Sequence, residues 1–242
     1  STALATHPKA EDNEATTALH LACRNRQTET AQLLIKSSKD FGIDLNAKDD
    51  YGRTAWHSAC ENGQTEIAQL IIQYSRDFGI DMNTKDYNGW TAWHLACSNG
   101  QTETAQLLIQ SSKDFGIDLN AKDDEGSTAW HEACSYGRTE TAQLLIKSLK
   151  DFGIDLNTKD NCGNTALHLA SIYGQTETAQ LLIKSSKEFG IDLNAKNNGG
   201  GTAWFEACWN GNTEIAQLII QSSKDFGIHL NAKTNVGRTA LH

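Results

Sequence analysis

Gly52-Arg-Thr-Ala-Trp-His-Ser-Ala-Cys-Glu-Asn-Gly63, followed at once by Gln64-Thr-Glu-Ile-Ala-Gln-Leu-Ile-Ile72, decides the fold, because the chain repeats it from end to end. Thr17, Thr54, Thr91, Thr128, Thr165, Thr202 and Thr239 stand 37 residues apart. A fixed period of this size marks a stacked array, in which each unit buries its apolar face only against its neighbours. A large central core is therefore not needed.

Each period reads as a turn and two helices. Asp49-Asp-Tyr-Gly52 is the turn of an extended hairpin, with glycine supplying the left-handed conformation. Thr54 is the N-cap of a first helix from Ala55 to about Asn62, and Gly63 closes it. Thr65 is expected to cap a second helix, with Glu66 at the positive end of its dipole. Ala68, Ile71, Ile72 and Ser75 follow i, i+3, i+4, i+7 spacing beside Leu70, the pattern of a helix packed on one face. The helix runs on to Phe78, where Gly79 followed by Ile80 has the form of a Schellman stop.

Gly89-Trp-Thr-Ala-Trp-His-Leu-Ala-Cys97 and Asn164-Thr-Ala-Leu-His-Leu-Ala170 resemble the ankyrin signature Thr-Pro-Leu-His-x-Ala. Gly100-Gln-Thr-Glu-Thr-Ala-Gln-Leu-Leu-Ile109 and Asp118-Leu-Asn-Ala-Lys-Asp123 are similar to the family's second helix and its link to the next hairpin. The resemblance covers roughly residues 12 to 242. It implies an all-α ankyrin-repeat solenoid: helix-turn-helix units joined by short β-hairpins. Two features depart from the family. Its proline is alanine in every repeat, and the period is four residues longer than the usual value of about 33. The four extra residues fall at the end of the second helix and equal about one turn of 3.6 residues. The sequence therefore predicts a longer second helix, with Phe41, Phe78, Phe115, Phe152, Phe189 and Phe226 forming an apolar ladder at its end.

The expected organisation is a leader at 1–12, a degenerate first repeat at 13–49, five further repeats at 50–86, 87–123, 124–160, 161–197 and 198–234, and a truncated seventh at 235–242. In the first repeat Ala15 and Arg26 replace the glycines seen at 52 and 63, which suggests an altered end unit. The opening residues lack the basic start and apolar core of a signal peptide. They also lack a methionine, and the chain stops in mid-repeat, so the sequence reads as an excerpt of a longer protein whose last repeat is uncapped and open to end-to-end self-association.

Net charge and cysteine usage narrow the classes. A formal charge of −9 argues against nucleic acid, whose phosphates demand a basic face. No apolar run approaches the roughly 18 residues of a membrane span, so no membrane insertion is expected. Five of the six cysteines, Cys23, Cys60, Cys97, Cys134 and Cys208, share one repeat position, with Ser171 in the fifth repeat. Helices packed 8–10 Å apart hold equivalent Cα atoms beyond the roughly 7 Å reach of a disulfide. These cysteines read as small buried hydrophobes, and Cys162 as a free thiol in a hairpin tip. The pattern points to a reducing, intracellular compartment, with the cytoplasm the expected location.

Three places in the sequence carry residue types with catalytic or ligand-binding chemistry. His57/Cys60, His94/Cys97 and His131/Cys134 have the spacing of a metal pair or a Cys–His dyad on a helix. Repetition assigns them to the framework, because parallel copies do not converge on one centre; the resemblance implies that the histidine ties neighbouring repeats. Asp49 and Asp50 read as solvated turn residues, and Gly199-Gly-Gly201 as a hairpin turn and not a phosphate loop. No catalytic residue, metal or cofactor is expected. Trp56, Trp93, Trp130 and Trp204 exchange with Leu19, Leu167 and Leu241, so they belong to the core.

What varies between repeats is more telling. Variation gathers at the hairpin tips and at helix-1 positions three apart, which share one helix face. In ankyrin proteins these elements line a concave partner-binding surface. The residues expected to make contact are Tyr51, Arg53, Ser58, Glu61, Tyr87, Trp90, Ser98, Glu125, Glu132, Ser135, Tyr136, Ile172, Tyr173, Glu206 and Trp209. Surface aromatics are costly without a use and are enriched at binding hot spots. The function read here is a non-catalytic interaction scaffold for a protein or peptide carrying basic and apolar residues. The alternatives are a structural spacer array within a larger protein and an engineered ankyrin binding scaffold. Framework exceptions such as Leu149, Ser171, Phe205 and His229 argue for natural drift.

Overall fold

The computed structural model describes residues 16–240, apart from the side chain of Leu149. The expected leader at 1–12, Ala15, Leu241 and His242 lie outside the described residues. Those residues form two compact units, 16–96 with 101–123, and 97–100 with 124–240. The first holds α1 (Ala18–Arg24), α2 (Thr28–Phe41), α3 (Ala55–Glu61), α4 (Thr65–Phe78), most of α5 (Ala92–Ser98), and α6 (Thr102–Phe115). The second holds α7 (Ala129–Ser135), α8 (Thr139–Phe152), α9 (Ala166–Ile172), α10 (Thr176–Phe189), α11 (Ala203–Trp209) and α12 (Thr213–Phe226). Short and long helices alternate along the chain, and within each unit like packs on like: α1 on α3, α2 on α4 and α4 on α6; then α7 on α9, α9 on α11, α8 on α10 and α10 on α12.

The short helix is started by its threonine. Thr54 has extended backbone (φ −94°, ψ 170°), and its side chain and that of His57 form a reciprocal capping box. The imidazole fixes its own tautomer there. Nδ1 accepts the Thr54 backbone N–H at 3.1 Å, so the proton sits on Nε2, which donates to the Trp90 carbonyl at 3.2 Å in the next repeat. His168 does the same with Thr165 and the Gly201 carbonyl. Phe205 breaks the series: Thr202 still caps Phe205 N–H, but the side-chain half of the box is gone.

Framework tryptophans sit beneath these helices. Trp56 is 1% exposed, and its indole N–H donates to the Met82 carbonyl at 3.2 Å. Trp93 reaches Leu119, Trp130 reaches Leu156 and Trp204 reaches Leu230 in the same way. Burial of a large ring is thus combined with satisfaction of its one donor.

The second helix has the predicted extra turn. It spans 14 residues in α4, ends at Phe78, and stops at Gly79 in the left-handed conformation (φ 62°), with the Ile80 N–H bonded to the Ser75 carbonyl. Two expectations are corrected. Thr65 is the first helical residue and not the cap, because the turn after Gly63 is so tight that Gln64 alone fills the cap position. Its hydroxyl bonds instead to Thr104 of the next long helix at 2.8 Å. The phenylalanine ladder is only half buried and is roofed by cations from the preceding repeat: Lys39 over Phe78, Arg76 over Phe115 and Lys187 over Phe226, at 5.0, 4.9 and 5.0 Å. Phe41 is exposed. At the other end Ile220 is 50% exposed where its counterpart Ile183 is 1%, so the outer face of α12 is open.

The hairpins also differ in detail from the expectation. Among the described residues no strand forms. Each connection is a tight turn closed by backbone bonds such as Asp49 N–H to Arg53 O and Gly52 N–H to Asp49 O. Lateral rungs then repeat within each unit. Asn46 and Asn83 donate to the carbonyls of Gly79 and Gly116, and Asn157 and Asn194 to those of Gly190 and Gly227. Lys48 and Lys85 reach the next lysine carbonyl, as do Lys159 and Lys196. The arrangement leaves two places free to vary: the turn tips and the C-terminal ends of the short helices.

Candidate protein-binding surface

The tips are rigid because their first acidic residue is built in. Asp49 is 2% exposed, and its Oδ1 accepts the backbone N–H groups of Tyr51 and Arg53 at 3.0 and 2.9 Å. It is a structural group, so its reading as a solvated turn residue is corrected; Asp50 is exposed. Asp86 holds Asn88 and Trp90 in the same way, and Asn197 holds Gly199 and Gly201. Adjacent tips are stitched by backbone bonds, from Tyr87 to Tyr51 in the first unit and from Asn161 to Glu125 and Asn198 to Cys162 in the second.

In the first unit this scaffold presents Tyr51 and Tyr87, 57% and 68% exposed. Tyr87 lies on Gly52, where an added Cβ would fall 2.6 Å from its ring. Arg53 is half-buried and anchored: its guanidinium is 3.0 Å from Glu61 and 3.3 Å from Asp86. Trp90 is half-buried as well, donating to Asp123 Oδ2 at 2.9 Å and stacking on His94. Ser58 is 1% exposed and offers little contact area.

In the second unit the aromatic groups move from the tips to the helix ends. Tyr136 and Tyr173 are the C-cap residues of α7 and α9, and Trp209 ends α11; they are 51%, 62% and 66% exposed. The tyrosine hydroxyl of Tyr136 is pushed above its ordinary pKa by burial and by the nearby charge of Glu132. Glu125 is exposed, whereas Glu132 and Ser98 are buried. Ser135 and Ile172 are half-buried. Glu206 is half-buried, accepts the Asn197 amide at 2.9 Å and lies one turn from Trp209, which stacks on Phe205 at 5.8 Å.

The residues set aside as framework behave as framework. Both ring nitrogens of His57 are consumed by structural hydrogen bonds, and burial lowers its pKa to about 4. Cys97 and Cys134 are fully buried, which pushes both thiols well above their ordinary pKa. Cys162 is exposed. Sequence reasoning missed the Glu61–Arg53–Asp86 ion-pair network, whose only sequence trace is the coincidence of Arg53 with Glu61 in a single repeat.

A family model described as ankyrin repeats (3 copies) matches residues 3–86, 77–160 and 146–234. Among solved structures, the chain is similar to the ankyrin repeat domain of Bcl-3, described as a unique member of the IkappaB protein family. The two share 24% identity over 94% of this chain and 93% of that one, with a TM-score of 0.75, a likeness of fold. No curated protein matches the sequence. Together, the recurrent signature, the helix pairs tied by histidine and the family match over most of its length establish that the chain belongs to the ankyrin repeat family.

Proposed function

We propose that the array binds a partner protein or extended peptide through its turn tips and the ends of its short helices. Ankyrin repeats are generally protein–protein interaction modules, typically without catalysis. The observation that carries the reading is a contrast between two sets of aromatic residues. The framework tryptophans are 1–5% exposed, whereas Tyr51, Tyr87, Tyr136, Tyr173 and Trp209, all at positions that vary between repeats, are 51–68% exposed. Packing does not require the second set, and rigid aromatic anchors lose little entropy on binding. Glu125, Glu206 and a net charge of −9 favour a partner with basic as well as apolar groups.

The test is capture from a cell lysate by the array and by its Tyr136→Ala/Tyr173→Ala/Trp209→Ala variant. A specific partner should be retained by the first, lost by the second, and released progressively as salt rises. Equal lanes from two folded proteins would favour the spacer reading instead. Trp90 is unsuitable for this variant, because removing it would also remove its bond to Asp123.

A further inference from the structure

The hairpin residue just before each N-cap threonine is Arg53, Trp90, Ser127, Asn164, Gly201 and Arg238 in successive repeats. Where arginine stands there, its guanidinium turns onto the short-helix face. Arg53 bridges Glu61 and Asp86 at 3.0 and 3.3 Å. Arg238 lies over the Trp209 ring, 6.0 Å from its centroid. At Gly201 there is no side chain, and the place is bordered by unmatched groups. A Cβ added to Gly201 would stand 2.8 Å from Glu206 Oε1 and 3.2 Å from Phe205 Cδ1. The carboxylate of Glu206 therefore faces the space that an arginine fills in the second repeat.

Nothing cationic pairs with Glu206 among the described residues. Its carboxylate accepts from the neutral amide of Asn197, which replaces the aspartate of the preceding repeats and also bonds Asn164 Oδ1 at 3.1 Å. By the 37-residue register, Ile172 stands to Asn197 as Arg24 stands to Asp49, an ion pair at 3.5 Å. That position is apolar here. Tyr173 beside it and Trp209, one turn from Glu206, are both exposed.

We propose that this place in the second unit seats an arginine side chain of the partner, an inference that rests on the partner-binding reading above. The guanidinium pairs with Glu206, its stem lies along Ile172, and its plane lies against Tyr173, since Trp209 already carries Phe205 and Arg238. Arginine fits better than lysine, because a planar fork both pairs with a carboxylate and stacks on aromatic faces. The second repeat supplies this group from its own chain, and the fifth-to-sixth junction leaves it to a partner.

The experiment is panning of a random dodecapeptide display library on the whole chain, followed by affinity measurement on variants. Gly201→Arg places the guanidinium in cis; its backbone is outside the left-handed region, and the nearest obstacle is the flexible end of Glu206. Enriched peptides should carry arginine, lose at least tenfold in affinity when that arginine becomes lysine or glutamine, and lose as much on Gly201→Arg and on Glu206→Gln. Circular dichroism checks folding, and Glu206→Gln decides alone should Gly201→Arg not fold. Failure of any library to enrich, enriched peptides without arginine, or unchanged affinity for Glu206→Gln would overturn the proposal. Arginine-free peptides that are nevertheless lost on Tyr136→Ala and Tyr173→Ala would remove this seat while leaving the wider reading in place.

Discussion

Ser171 is fully buried at the position that cysteine holds in the other full repeats, and its hydroxyl has no hydrogen-bond partner. A buried donor left unmade costs about 1–3 kcal/mol, whereas a thiol behaves as a small hydrophobe. Ser171→Cys should therefore raise stability by about 1 kcal/mol, seen as a higher denaturant midpoint at unchanged slope. A lower midpoint would mean that the pocket has adapted to the smaller oxygen. Residues of this kind were readable in the sequence because the repeats serve as one another's controls. Asp49 was not: alternation of turn residues shows where a tip lies, but only the fold shows that its carboxylate turns inward to hold two backbone amides.

At the scale of the helix, two glycines that look alike in sequence do different work. Gly79 and Gly63 share φ values of 62° and 65°, a conformation that costs an alanine roughly 1 kcal/mol. A Cβ at Gly79 meets nothing within 4 Å, so Gly79→Ala should cost about that much. At Gly63 the same atom would fall 2.2 Å from the Gln101 side chain, whose amide holds the Glu61 carbonyl at 3.0 Å. Gly63→Ala should cost clearly more, by about a further 1 kcal/mol for the lost bond, and equal midpoints in chemical denaturation would refute the distinction. Arg26 shows that the strain is tolerable, since it sits at φ 57° in the first repeat. The length of the second helix was legible from four inserted residues ending in Phe-Gly. The cations roofing those phenylalanines were not, because they come from the preceding repeat, 39 positions away.

For the whole array, the repeated histidine makes stability depend on pH. His57 in the folded chain has its pKa lowered from 6.5 to about 4 by burial, and His168 is lowered for the same reason. The unfolded chain therefore binds protons that the folded chain refuses. Their stabilisation is present in full above pH 6.5 and is lost as pH falls from there towards 4. A shift of this size corresponds to about 3 kcal/mol for His57 alone at the acid end. Thermal midpoints should drop across that window, and His57→Gln should flatten the slope; an unchanged slope would mean that carboxylates dominate the acid response. The stack itself was the easiest thing to see in the sequence, since its period is written seven times. Which variable positions would face water was only partly legible: Ser58, Ser98 and Glu132 vary between repeats yet are buried, because a short helix has room for small or bonded side chains beneath its variable face.

The lateral rungs always join a residue to the corresponding backbone site of the next repeat, and they carry no address. Excision of 161–197 from the gene would bring Asn157 opposite Gly227 and Lys159 opposite Lys233, partners chemically identical to the Gly190 and Lys196 carbonyls they now hold. Recombination between such coding units changes the array's length by whole multiples while keeping every junction in register. The tips and helix ends travel with each unit, so lengthening or shortening the gene also reshuffles the proposed recognition surface.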